Sequence, residues 1–128
     1  MKTKFGNGEL RKASNSDRRR RSRTMSIHGE KLKFALVKDI KSKDPKSIDE
    51  ECLGVCIDAG SFEKPTRIKV CEDQDRVEMH YTVLHESIHA GSYGGTSEFE
   101  TLQLERYLGR LLLNLGVNLG DLVFPRKE

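Results

Sequence analysis

The hydrophobic period of this chain changes near residue 73, and that change limits the folds open to it. Up to Cys71 the apolar residues alternate or form short runs. In "SIHGEKLKFALVKDI" (26–40), Leu32, Phe34 and Leu36 share one face of an extended segment, and Gly29 is placed for a hairpin turn. The run "CLGVCID" (52–58) is a second short strand, and "TRIKVC" (66–71) sets Ile68 and Val70 against charges as a third with one wet face. The polar stretch around Pro45 between them reads as a loop. Beyond residue 73 the spacing is helical, with Val77, Tyr81, Leu84 and Ile88 recurring at three and four. Asp73 or Asp75 is placed to cap that helix and Gly91 to end it. After the glycine-rich "SYGGTS", Ser97 and Glu100 form a capping-box pattern for a second helix that runs to Asn114 or Leu115 before Gly116. Strands first and helices after predict an α+β domain. Its antiparallel or mixed sheet has about three strands, with helices packed on one face.

Charge divides the chain differently. Residues 1–26 hold nine basic residues against two acidic ones, and the remainder holds 14 against 18, within a total formal charge of +3. The first 25 residues are rich in Gly, Asn, Ser and Arg and almost empty of apolar side chains. Such a segment cannot bury enough surface to offset the entropy of ordering, so residues 1–25 are expected to be a disordered basic tail and residues 26–128 the folded domain. The arginine run "SDRRRRSR" could neutralise phosphates and bind nucleic acid, or could act only as a solvated, solubilising end. No apolar run is long enough to span a membrane and no apolar segment follows the basic start, so a cytoplasmic protein with no membrane partner is expected. Cys52, Cys56 and Cys71 are few and odd in number, as expected for reduced thiols. Cys52 and Cys56 lack the paired spacing of a zinc knuckle.

The chemistry concentrates in "VLHESIHAGSYGGTSEFE" (83–100), where His85-Glu86-Ser87-Ile88-His89 is an H-E-x-x-H on the expected first helix. Residues four apart project from one face, so His85 and His89 can both point nitrogens at one ion. Glu86 lies about 100° round the helix, outside that shell but within reach of a water at the ion. Imidazole pairs suit Zn2+, which in hydrolytic sites has three protein ligands and an open position, with a carboxylate as general base. The alternative is an amphipathic helix that happens to expose two histidines.

A third ligand must come from elsewhere. No histidine follows the motif, His80 faces away by about 140°, and His28 is remote in sequence. The carboxylates at the start of the second helix are the candidates. Leu104, Tyr107, Leu108, Leu111 and Leu115 mark its main apolar face, and Glu100 falls within that face, where an unpaired carboxylate would be costly. Glu100 is therefore ranked first, Glu105 second and Glu98 third. Glu100 also has a purely structural alternative as the capping-box carboxylate. Tyr81, one turn before His85, and Tyr93, just after the motif, are candidate oxyanion donors, though a core and a loop role respectively serve them equally well.

From about residue 24 to 115 the chain resembles a family of small phage and prophage metallopeptidase-like proteins related to the ImmA/IrrE and SprT-like zincins. The resemblance is carried by "LGVCID", "KPTRIKV", the acidic spacer, "YTVLHESIHA" and "ERYLGRLL" in that order. It implies a minimal zincin fold, His85 and His89 as zinc ligands, Glu86 as catalytic glutamate, and a glutamate within the Glu98–Glu105 segment completing the site. The expected function is thus a zinc-dependent metallopeptidase, a hydrolase acting on a protein or peptide substrate. His85, His89 and Glu100 would hold the metal and Glu86 would act as base. The rival expectation is a zinc-stabilised, non-catalytic binding protein with a nucleic-acid-binding tail. Hydrolysis of a non-peptide amide would need the same residues.

Overall fold

In the computed structural model, the structure describes residues 19–38, 40 and 53–126. Among these residues it is an α+β fold with a four-stranded mixed sheet and three helices. Strand β1 (Ser22–Ile27) pairs antiparallel with β2 (Glu30–Val37) through a two-residue turn. His28 and Gly29 both take positive φ there, 52° and 80°, as the turn that matches strand twist requires. Strand β3 (Gly54–Ile57) lies at the far edge, antiparallel to β4 (Thr66–Cys71), and β4 runs parallel to β2, giving the order β1-β2-β4-β3. Helix α1 (Arg76–Gly91), helix α2 (Glu98–Asn114) and the short α3 (Leu119–Val123) follow.

The fourth strand corrects the expected tail boundary. Residues 19–25 belong to the fold. Arg19 is buried, bridges to Arg126, and donates to Asp121 Oδ1 at 3.0 Å and to the Phe124 carbonyl at 3.1 Å. Arg21 pairs with Glu72 at 2.7 Å. These arginines are held by specific carboxylates and carbonyls, so charge that reads as a solvated end locks the sheet to α3 instead. The part of the expected tail before residue 19 lies outside the described residues, as does Cys52.

Alternation decides the core. Phe34 and Leu36 from β2 and Ile68 and Val70 from β4 project to one side, where they meet Met79 and Val83 of α1, Val123 of α3, and Phe124. Phe34 and Phe124 pack edge to face, centroids 6.4 Å apart. Each such side chain contributes roughly 1.5–3 kcal/mol by leaving water.

Both long helices begin with capping boxes. Asp75 accepts from the Glu78 amide and Ser97 from the Glu100 amide, and each glutamate reaches back to its cap. Gly91 is the last helical residue of α1. The chain reverses instead at Tyr93 (φ 55°) and Gly94 (φ 77°), whose amide bonds to the His89 carbonyl.

Helix α2 is turned differently from its apolar pattern. Tyr107 and Leu115 are 72% and 69% exposed, and Leu104 and Leu111 also face solvent. The side that meets α1 carries Thr101 and Gly109, both buried. A side chain at Gly109 would bring a Cβ within 2.3 Å of the Tyr81 ring. The absence of a side chain at Gly109 lets α2 approach the Tyr81 ring closely. The leucine stripe, which would hold the helices further apart, is left outside.

Candidate metal centre

Helix α1 presents His85 and His89 one turn apart, with ring centroids 4.9 Å apart. Glu98, the first residue of α2, closes the group: its Oε1 is 2.7 Å from His85 Nε2 and its Oε2 is 3.4 Å from His89 Nε2. One ligand atom from each of the three lies within 4.8 Å of the others. Position N1 puts the Glu98 carboxylate at the positive end of the α2 dipole. Glu105, two turns along α2, approaches the other side of His85, with Oε2 3.4 Å from Nδ1 and its side chain only 14% exposed.

His85 thus lies between two carboxylates. A neutral imidazole has one N–H, so it can satisfy only one of them, and the other faces a bare nitrogen. A positive charge at the Nε2 side, from a proton or a metal ion, resolves that conflict, and a metal ion there leaves the Nδ1–H for Glu105. This is the outer-shell carboxylate–histidine arrangement that fixes the tautomer of a metal ligand. Two imidazoles and a carboxylate are also a familiar donor set for catalytic zinc. The residues present therefore fit a zinc ion held by His85, His89 and Glu98, with Glu105 behind His85.

Glu86 faces a different environment. It is buried, and β3 comes down on it: a Cβ at Gly54 would lie 2.6 Å from Thr82 Cγ2 and 3.1 Å from Glu86 Cγ. Burial pushes the Glu86 carboxyl above its ordinary range; His85 and His89 draw it back, while Glu98 and Glu105 push it further up. Beside it is an open cleft of about 430 Å³ bounded by Gly54, Cys56, His85, Glu86, His89 and Glu98. The Cys56 thiol on this cleft is pushed up to about 11, first by burial and then by Glu86.

The other expected participants sit elsewhere. Glu100 is not brought to the histidines. Its carboxylate takes the Ser97 hydroxyl at 2.9 Å and the Ser97 amide at 3.3 Å, so the capping role claims it and Glu98 stands in the place expected of it. His80 is fully buried: its Nε2 bonds the Gly109 carbonyl and its Nδ1 accepts from the Leu119 amide, both at 2.9 Å. His28 is in the β1–β2 turn. Tyr81 packs on Gly109 and Tyr93 bonds Glu30, and neither lines the cleft at the histidines. The heptad spacing of Glu98 and Glu105 is the sequence signal that both share one side of α2, and that side is the one facing α1.

A comparison with known protein families, curated proteins and solved structures gives no match to this chain. Among the described residues no helix is long and apolar enough to cross a membrane.

Proposed function

We propose that the chain is a metal-dependent hydrolase of the minimal zincin type, and specifically a zinc metallopeptidase acting on extended protein or peptide segments. The observation that carries this reading is the convergence of His85, His89 and Glu98 beside a buried Glu86 that serves no structural partner among the described residues. When bound, zinc would supply a Lewis acid and bring the pKa of a water to about 7. His85, His89 and Glu98 would hold it, and Glu105 would fix the His85 ring. Glu86, offset from the ligand face, accepts the proton of the attacking water and returns it to the leaving amine. The β3 edge gives the substrate its place. Among the described residues nothing pairs with the outer side of β3, and Gly54, Val55 and Cys56 of that strand line the cleft. A peptide added there in extended form would cross in front of Glu86 and the histidines.

Zinc content and cleavage of an unfolded protein substrate, measured on the full chain and on Glu86→Gln, test the proposal. The variant should keep one zinc and lose about 10²–10⁴-fold in rate. Unchanged activity would remove Glu86 from the chemistry. A wild type that holds zinc but cleaves nothing would favour the non-catalytic binding protein, and one that takes up no zinc would end both readings.

A further inference from the structure

The side of the sheet away from the helices has a composition of its own. Leu32, Phe34 and Leu36 point into the core, so Lys31, Lys33 and Ala35 of β2 point out; likewise Arg67 and Lys69 of β4 point away from Ile68 and Val70. The strand register sets these in rows. Thr24, Lys33, Arg67 and Ile57 are neighbours across one row, and Ser22, Ala35, Lys69 and Val55 across the next. Lys33 and Arg67 are thus about 4.8 Å apart at the backbone, and Lys69 is about 6.8 Å further along β4 from Arg67.

No acidic side chain projects from these strands on this side. Asp58, just past β3, takes the Arg67 guanidinium at 2.7 Å. Lys31, Lys33 and Lys69 make no ion pair among the described residues. No helix covers the face among the described residues: α1 packs on the other side of the sheet, and α2 and α3 pack on α1. In a chain whose residues after 26 carry four more acidic than basic groups, this face holds Lys31, Lys33, Arg67 and Lys69 with Asp58 alone against them.

We propose that this outer sheet face is a docking surface for the phosphate backbone of double-stranded nucleic acid. Lysines on a rigid strand lattice neutralise phosphates and release their counterions without reading sequence. The duplex is favoured over a single strand because the face carries Ser, Thr, Ala, Val and Ile between its cations and no aromatic ring, so unstacked bases would find no platform. The surface is separate from the metal centre, which lies on the helical side, and the proposal stands whether or not the chain hydrolyses anything.

The test is the salt dependence of binding to a 30-base-pair DNA duplex by the full chain and by Lys33→Gln/Lys69→Gln. Each lost phosphate contact flattens the log–log slope by about 0.9, so the double variant should show a slope shallower by about 1.8 and at least about tenfold weaker binding at low salt. The single variants Lys33→Gln and Lys69→Gln should each give half of the slope change. Lys33→Arg/Lys69→Arg should bind as the wild type does. Thermal melting should be unchanged, because no described partner is lost. Several outcomes overturn the proposal: no duplex binding by the wild type, or an unchanged slope in the double variant, which would assign binding to residues 1–18 alone. Tighter binding to the 30-nucleotide single strand, or equal competition by polyglutamate, which would point to an acidic protein, overturns it as well.

Discussion

Helix α1 carries three histidines and uses them in two ways. Both ring nitrogens of His80 meet backbone groups, the Gly109 carbonyl and the Leu119 amide, and so tie α1 to α2 and to the start of α3. Five residues on, both ring nitrogens of His85 meet carboxylates, and His89 shares one of them. Backbone partners come one donor and one acceptor, which suits a neutral ring and leaves nothing over. Carboxylate partners are both acceptors, which a neutral ring cannot serve, and the surplus negative charge is a place for a cation. The kind of partner, more than burial or residue type, separates a histidine that fastens the fold from one set up for chemistry.

Substitutions can break this contrast from either side. The largest effect is expected for Glu98→Ala, which removes a ligand. Zinc affinity, read by competition with a chelator, should fall beyond the roughly 10–100-fold typical of outer-shell changes; an unchanged affinity would return the third-ligand role to another carboxylate. His80→Ala should leave zinc stoichiometry intact and lower stability by about 3 kcal/mol in denaturant melts, since it strands a buried carbonyl and a buried amide and opens a cavity. Loss of zinc from a still-folded His80 variant would show that the two groups of histidines are not independent. Glu105→Gln is predicted to weaken zinc about 10–100-fold without removing it, and no change would mean that the 3.4 Å contact to His85 does not orient the ring. The smallest effect belongs to Glu100→Ala: about 1 kcal/mol of stability from the capping box, with zinc affinity as in the wild type.

The residues that gave themselves away in the sequence are those whose role is local. The H-E-x-x-H, the Ser97–Glu100 capping box and the strands around Phe34 and Ile68 depend on neighbours a few positions off, and the structure has them where spacing puts them. What spacing could not supply depends on distant partners. Residues 19–25 read as part of a charged tail until Glu72, Asp121 and the Phe124 carbonyl are found for Arg19 and Arg21. Which carboxylate comes near the histidines also turns on a distant partner. An apolar stripe normally marks the packed side of a helix, and on that rule Glu100 is buried and Glu98 is not. Contact between Tyr81 and Gly109, one pair in a long helix, rotates α2 off its stripe and swings Glu98 and Glu105 to the histidines. Helical phase alone gives no sign of that rotation, because it is fixed by the one position with no side chain.

The connection between the helices has a consequence for the order of folding. Every group proposed for the metal comes from α1 and α2, which a six-residue turn joins, whereas the β2–β4 pairing joins positions as far apart as Leu32 and Thr66. Short loops close at low entropic cost and long ones late. On refolding of the full chain, His85, His89 and Glu98 should therefore gather before the sheet is complete, with Gly54 shutting Glu86 away from water only when β3 arrives.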